Sequence, residues 1–94
     1  MYQLISSGTC ETNGMRSIHD ETSCKSAATR LGKTINNFWV QSGEWGASRP
    51  KGCSWHGGQG NVELWQSSSG DCGRGYNGCF CLNSQGKKLF SLIF

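Results

Sequence analysis

Six cysteines, four tryptophans and two histidines are the residues of this 94-residue chain whose types can carry chemistry. Cys79 and Cys81 flank Phe80, and in a strand residues two apart share a face. Both thiols then look inward while Phe80 looks the other way, and one strand can be tied to two other parts of the chain. An even cysteine count in a short chain reads as a disulfide framework in an oxidising compartment, hence secretion or a cell surface.

Other uses of the same side chains fit less well. Structural zinc sites carry cysteines two to four residues apart, whereas the close spacings here are Cys72 to Cys79 and Cys79 to Cys81. His19, before a helix start, and His56, beside a turn, read as surface residues, so no metal is expected. Nucleophilic catalysis needs a free thiol or an activated serine beside a base. Six paired cysteines leave no thiol, and the serines fall in turn-like runs such as Ser67-Ser68-Ser69-Gly70. We therefore expect no catalytic residue and no cofactor; the chain does not read as an enzyme. The tryptophans are better evidence, and they point to binding. An exposed indole flanked by amide and guanidinium donors can hold the apolar face of a sugar ring while polar groups take its hydroxyls.

Composition explains why cross-links are needed. Leu, Ile, Val and Phe supply 16 of 94 residues, below the roughly 20% at which a highly charged chain stays disordered. The net charge is only +3, so disorder is not forced, but aliphatic core is scarce. Each tryptophan can bury on the order of 200 Å². A disulfide closing about 20 to 70 residues contributes roughly 3 to 4.5 kcal/mol in the chain-entropy model. The nine basic residues are scattered among six acidic ones, without the basic stripe or interleaved aromatics of a nucleic-acid binder. No segment approaches 18 consecutive apolar residues, so no membrane span is expected. Segment 1–8 has neither a basic start nor an apolar run and does not read as a signal peptide; Met1 reads as an added start, or the segment as part of a longer secreted chain.

The elements that must position these residues follow from periodicity. Tyr2–Ile5 reads as a short strand. Cys24, Ala27, Ala28 and Leu31 recur at helical spacing, Asp20 is a good N-cap, and Gly32 stands where a left-handed C-cap belongs. A helix over 21–31 follows, with Cys24 on its small buried face. Asn37–Gln41 reads as a strand. Gly52–His56 and Asn61–Gln66 flank Gly57-Gly58-Gln59-Gly60, a hairpin signal with a four-residue loop. Alternation puts Val62 and Leu64 on one face and Asn61, Glu63 and Trp65 on the other. Segment 67–77 reads as a polar loop carrying Cys72. By this reading Trp39 and Trp55 join the core, while Trp45 and Trp65 remain available.

Ser7-Gly8-Thr9-Cys10, Ser17-Ile18, Glu21 to Ala28, Leu31-Gly32, Arg49 to Trp55, Asn61 to Trp65 and Cys79 to Leu82 together resemble small cysteine-rich modules in predicted secreted proteins of unicellular algae and other protists. That resemblance implies extracellular placement and no assigned activity. More distantly, one helix on a curved antiparallel sheet is similar to PAN/apple modules, which bind proteins or carbohydrates, although the cysteine spacing differs. A defensin-like pattern needs a cysteine four residues after Cys24, where Ala28 stands. Six cysteines allow fifteen pairings. A nested set, Cys10–Cys81, Cys24–Cys79 and Cys53–Cys72, is expected because the two inward thiols of one strand would then clamp the first loop and the helix.

The sequence thus predicts an α+β fold, a small disulfide-rich domain with one helix packed on an antiparallel β-sheet, spanning 1–94 as a single unit. Segment 83–94 reads as a final strand or an interface tail. The expected function is an extracellular recognition module, carbohydrate-binding through exposed tryptophan, with Trp45, Trp65 and Arg49 as ligand contacts and a glycan or an extracellular protein as partner. The alternative is a structural or adhesive module that self-associates through Leu89, Phe90, Leu92, Ile93 and Phe94. A secreted toxin is a weaker third reading, because no basic amphipathic stretch accompanies the small basic excess.

Overall fold

The computed structural model describes residues 1–73 and 76–83. Helix α1, Glu21–Arg30, begins where the Asp20 carboxylate accepts the Ser23 backbone N–H at 2.9 Å. That hydrogen bond is the main reason the Asp20 pKa is lowered. At the other end Gly32, with φ of +78°, turns the chain away, and the Lys33 N–H returns to the Ala28 carbonyl at 2.9 Å. This left-handed exit satisfies carbonyls the last turn would leave open. The buried helical residues are Cys24, Ala27 and Ala28. Their small side chains bring the helix close to the sheet.

The strands are β1 (Tyr2–Ile5), β2 (Arg16–Ser17), β3 (Asn37–Gln41), β4 (Gly46–Pro50), β5 (Gly52–His56), β6 (Asn61–Trp65), β7 (Ser68–Gly70) and β8 (Gly78–Leu82). The main sheet runs β1-β8-β5-β6-β3, with β2 also paired to β8. Its pairings are antiparallel except β3 on β6, which is parallel. Strands β4 and β7 form a separate parallel pair. The β5–β6 hairpin closes at His56 opposite Asn61, leaving the expected four-residue loop.

Alternation along the strands gives the sheet two unlike faces. Under the helix lie Cys53, Val62, Leu64 and Phe80, with Ile18 beside them and Tyr2, Leu4, Ile35, Phe38 and Trp55 at the margin. On the opposite face Cys79 and Cys81 join Ile5, Cys10, Met15 and Cys72 in a second buried cluster. The two clusters decide the disulfides. Cys10 is bonded to Cys81, Cys24 to Cys53 and Cys72 to Cys79. The expected Cys24–Cys79 and Cys53–Cys72 pairings are therefore corrected. The helix covers the Phe80 side of β8, so Cys24 meets Cys53 on that face, and the sheet itself separates it from Cys79. Cys79 takes Cys72, supplied by the loop that leads into its own strand.

Apart from Asn83, the tail expected over 83–94 lies outside the described residues, and so do the self-association residues Leu89, Phe90, Leu92, Ile93 and Phe94.

Candidate functional site

The face away from the helix carries the aromatic chemistry. Register places Ser54, Glu63 and Trp39 side by side across β5, β6 and β3, with Gln41 beside Trp65. The chain between β3 and β5 then folds back over the end of β6 and delivers Trp45 and Arg49. Trp45 meets the Trp65 ring edge-on, with centroids 5.6 Å apart and planes at 83°. The Arg49 guanidinium carbon stands 5.1 Å from the Trp45 centroid and 5.5 Å from that of Trp65. A cation so placed is drawn to the negative faces of both rings. Tyr76 also meets the Trp65 ring edge-on, with centroids 6.1 Å apart, and leads on to His56 at 5.3 Å.

Polar groups beneath the rings are satisfied internally. Trp65 Nε1 donates to Ser54 Oγ at 3.0 Å, and Ser54 Oγ donates to the Glu63 backbone carbonyl at 3.0 Å. Glu63 is only 9% exposed. Burial raises the Tyr76 hydroxyl pKa, the negative charge of Glu63 and a hydrogen bond to it add to the rise, and Arg49 opposes it. Among the described residues no buried side-chain polar atom lacks a partner.

The structure brings Trp45, Trp65 and Arg49 into one cluster but gives them different roles. Trp45 is 41% exposed, whereas Trp65 is 3% exposed and serves as the floor on which Trp45 and Arg49 rest. Arg49 is half-buried. Trp39, expected in the core, is instead 45% exposed. Its strand ends the sheet, and Phe38, the neighbour facing the helix side, supplies the core contact. Trp55 is half-buried against Phe80, with ring centroids 6.1 Å apart. Glu63 was legible beside Trp65 from strand alternation. Tyr76 had no such signal, because the loop that carries it has no periodicity, and His56 read only as a surface residue beside the turn.

Among the described residues no group of three His, Cys, Asp or Glu side chains is placed to hold a metal. No helix there is long and apolar enough to cross a membrane. The chain is a small α+β disulfide-rich domain, with three disulfides compatible with an extracellular setting. No family model, curated protein or solved structure matches it.

Proposed function

We propose that this domain is a secreted recognition module that binds carbohydrate on the face away from the helix, and that it is not an enzyme. The observation that carries the reading is the exposed Trp45 ring, held in one orientation by Arg49 and by the buried Trp65 beneath it. A ring fixed before binding loses little side-chain freedom when a ligand arrives. Its exposed surface suits the C–H face of a pyranose, and Arg49 N–H groups can reach ring hydroxyls. Trp39, exposed on the same face, extends the aromatic surface.

The test is a screen of the oxidised protein against a broad glycan panel, with tryptophan emission confirming each hit. Trp45→Ala is expected to weaken a confirmed hit at least tenfold while far-ultraviolet circular dichroism stays unchanged. Arg49→Ala should weaken it less. Trp65→Ala is a poor probe because it removes the floor. A blank panel, or a hit indifferent to both Trp45→Ala and Arg49→Ala, sinks the reading.

A structural or adhesive role has its own supporting observation. Strand β3 ends the sheet with exposed Trp39 and Val40 and carries no charge or proline. Unprotected edges of that kind invite pairing with another chain. Concentration-dependent mass in light scattering, abolished by Val40→Lys, would favour this second reading.

A further inference from the structure

On the helix side, at the end of the hairpin, the chain leaving α1 and the β5–β6 turn face each other across an open groove of about 360 Å³. This is near the lower end of the ~300–1,000 Å³ usual for small-molecule sites. Lys33, Thr34 and Asn36 form one wall, Gln59 and the turn glycines the other, and Trp55 lies between them. The groove belongs to the face opposite the Trp45 surface and shares no residue with it.

Its walls are fixed by the backbone. The Lys33 N–H is held by the helix end, and the Asn36 N–H donates to the Gly60 carbonyl at 2.8 Å. Asn36 Nδ2 also donates to the Gln59 carbonyl at 3.3 Å. The turn can close this tightly because it lacks side chains at two points. A Cβ at Gly57 would stand 2.8 Å from Trp55 Nε1, and one at Gly60 would stand 2.4 Å from Asn36 Nδ2. At Gly58 a Cβ would meet only open space.

The groups left to act are nearly all donors. Lys33 Nζ lies 5.6 Å from the Trp55 centroid. The ion pairs among the described residues join Lys25 to Glu21 and Lys51 to Glu11, so no carboxylate there neutralises Lys33. The Gln59 amide is taken up on the other face, where its Oε1 accepts from Asn61 Nδ2 at 2.9 Å. Asn36 Nδ2 has a second N–H. An ammonium and an amide donor beside an indole match an acceptor-rich ligand with a negative charge and an apolar ring face.

We infer that this groove is a second binding site and that it takes a negatively charged saccharide. The carboxylate or sulfate pairs with Lys33, the ring lies against Trp55, and Asn36 takes a hydroxyl oxygen. A neutral sugar would leave the Lys33 ammonium without its charge partner.

The experiment titrates the oxidised protein by calorimetry with three probes: a galacturonic acid disaccharide, a sulfated galactose disaccharide, and neutral lactose. Binding of either acidic probe at least tenfold tighter than lactose is expected, weakening as salt rises. The probe that binds identifies the source of the charge, and binding of both assigns the site to charge in general. Lys33→Ala should weaken binding at least tenfold, and Lys33→Arg should retain most of it. Gly58→Phe, which adds bulk to the turn wall at a position where a Cβ has only open space around it, should obstruct binding with an unchanged melting temperature. Trp45→Ala should leave this site untouched, so its failure is distinguishable from failure of the Trp45 surface. Equal affinity for lactose, no binding of either acidic probe, or binding indifferent to both Lys33→Ala and Gly58→Phe overturns the inference.

Discussion

Over one face of the sheet lies a helix whose buried side chains, Cys24, Ala27 and Ala28, are among the smallest available; over the other lie loops, a 3-10 turn at Glu11–Asn13 and the short β4–β7 pair. The helix has a periodic stripe to bury, so apolar packing on Val62, Leu64 and Phe80 secures it, and one disulfide, Cys24–Cys53, suffices. The loops have no such stripe. Two of the three disulfides lie on their side, and an arginine bracketed by two indoles covers the remainder. A chain short of aliphatic residues therefore concentrates them on one face and holds the other by covalent and aromatic means.

That contrast can be tested by the size of the losses. Phe80→Ala should be the most damaging substitution on the helix face, at about 3–5 kcal/mol for a fully buried aromatic, read from denaturant midpoints. Replacing Cys10 and Cys81 together by serine should cost about 4 kcal/mol, from the chain entropy of a long closed loop. The same change at Cys72 and Cys79 should cost only about 2 kcal/mol, because that loop is short. If the two serine pairs cost the same, loop closure is not what secures this face.

A smaller effect probes the polar support under Trp65. Ser54→Ala removes both the acceptor for the indole N–H and the donor to the Glu63 carbonyl, for an expected loss of about 1–3 kcal/mol and a shift in tryptophan emission. A loss confined to global stability, with emission unchanged, would show that Ser54 does not set the Trp65 environment.

The smallest predicted effect concerns pH. Burial opposes ionisation of Glu11, but hydrogen bonds from the Ser17 N–H and hydroxyl, with help from Lys51, outweigh it and hold the pKa at about 2 rather than 4.5. Because the folded pKa is depressed, the stabilisation is present above about pH 4.5 and is lost as the pH falls toward 2. The Glu11 side chain is 46% exposed, so solvent screening limits the loss to about 1 kcal/mol or less. Thermal melts across this range should show it, and Glu11→Gln should flatten that part of the profile.

The elements with a local rule were legible from sequence. Asp20, the Cys24-Ala27-Ala28 spacing and Gly32 defined the helix, and the glycine turn between Cys53 and Val62 defined the hairpin. Strand alternation also separated Cys79 and Cys81 from Phe80 and placed Trp65 away from Val62 and Leu64. Which face the helix would cover was not a local property, and two disulfide partners turned on it. The same gap reversed Trp39 and Trp65. A strand pattern assigns a side chain to a face, but burial depends on what crosses that face, and the Trp45–Arg49 segment gave no sign that it would fold over β6. Strands β4 and β7 carry no apolar alternation, so their pairing left no trace in the sequence.

The pairing of β1 with β8 has a mechanical consequence. Tyr2 lies opposite Leu82 and Ile5 opposite Cys79, so a pull applied at Met1 and Asn83 opens this ladder from its end, one rung at a time. The opening stops at Cys10–Cys81. Beyond that point tension crosses the sulfur bridge instead of the intervening chain, and the helix, the hairpin and the aromatic face carry no load. Yielding is limited to the few residues outside the bridge, about 40 Å of slack at full extension, after which the domain behaves as an inextensible link whose binding surfaces keep their shape under force.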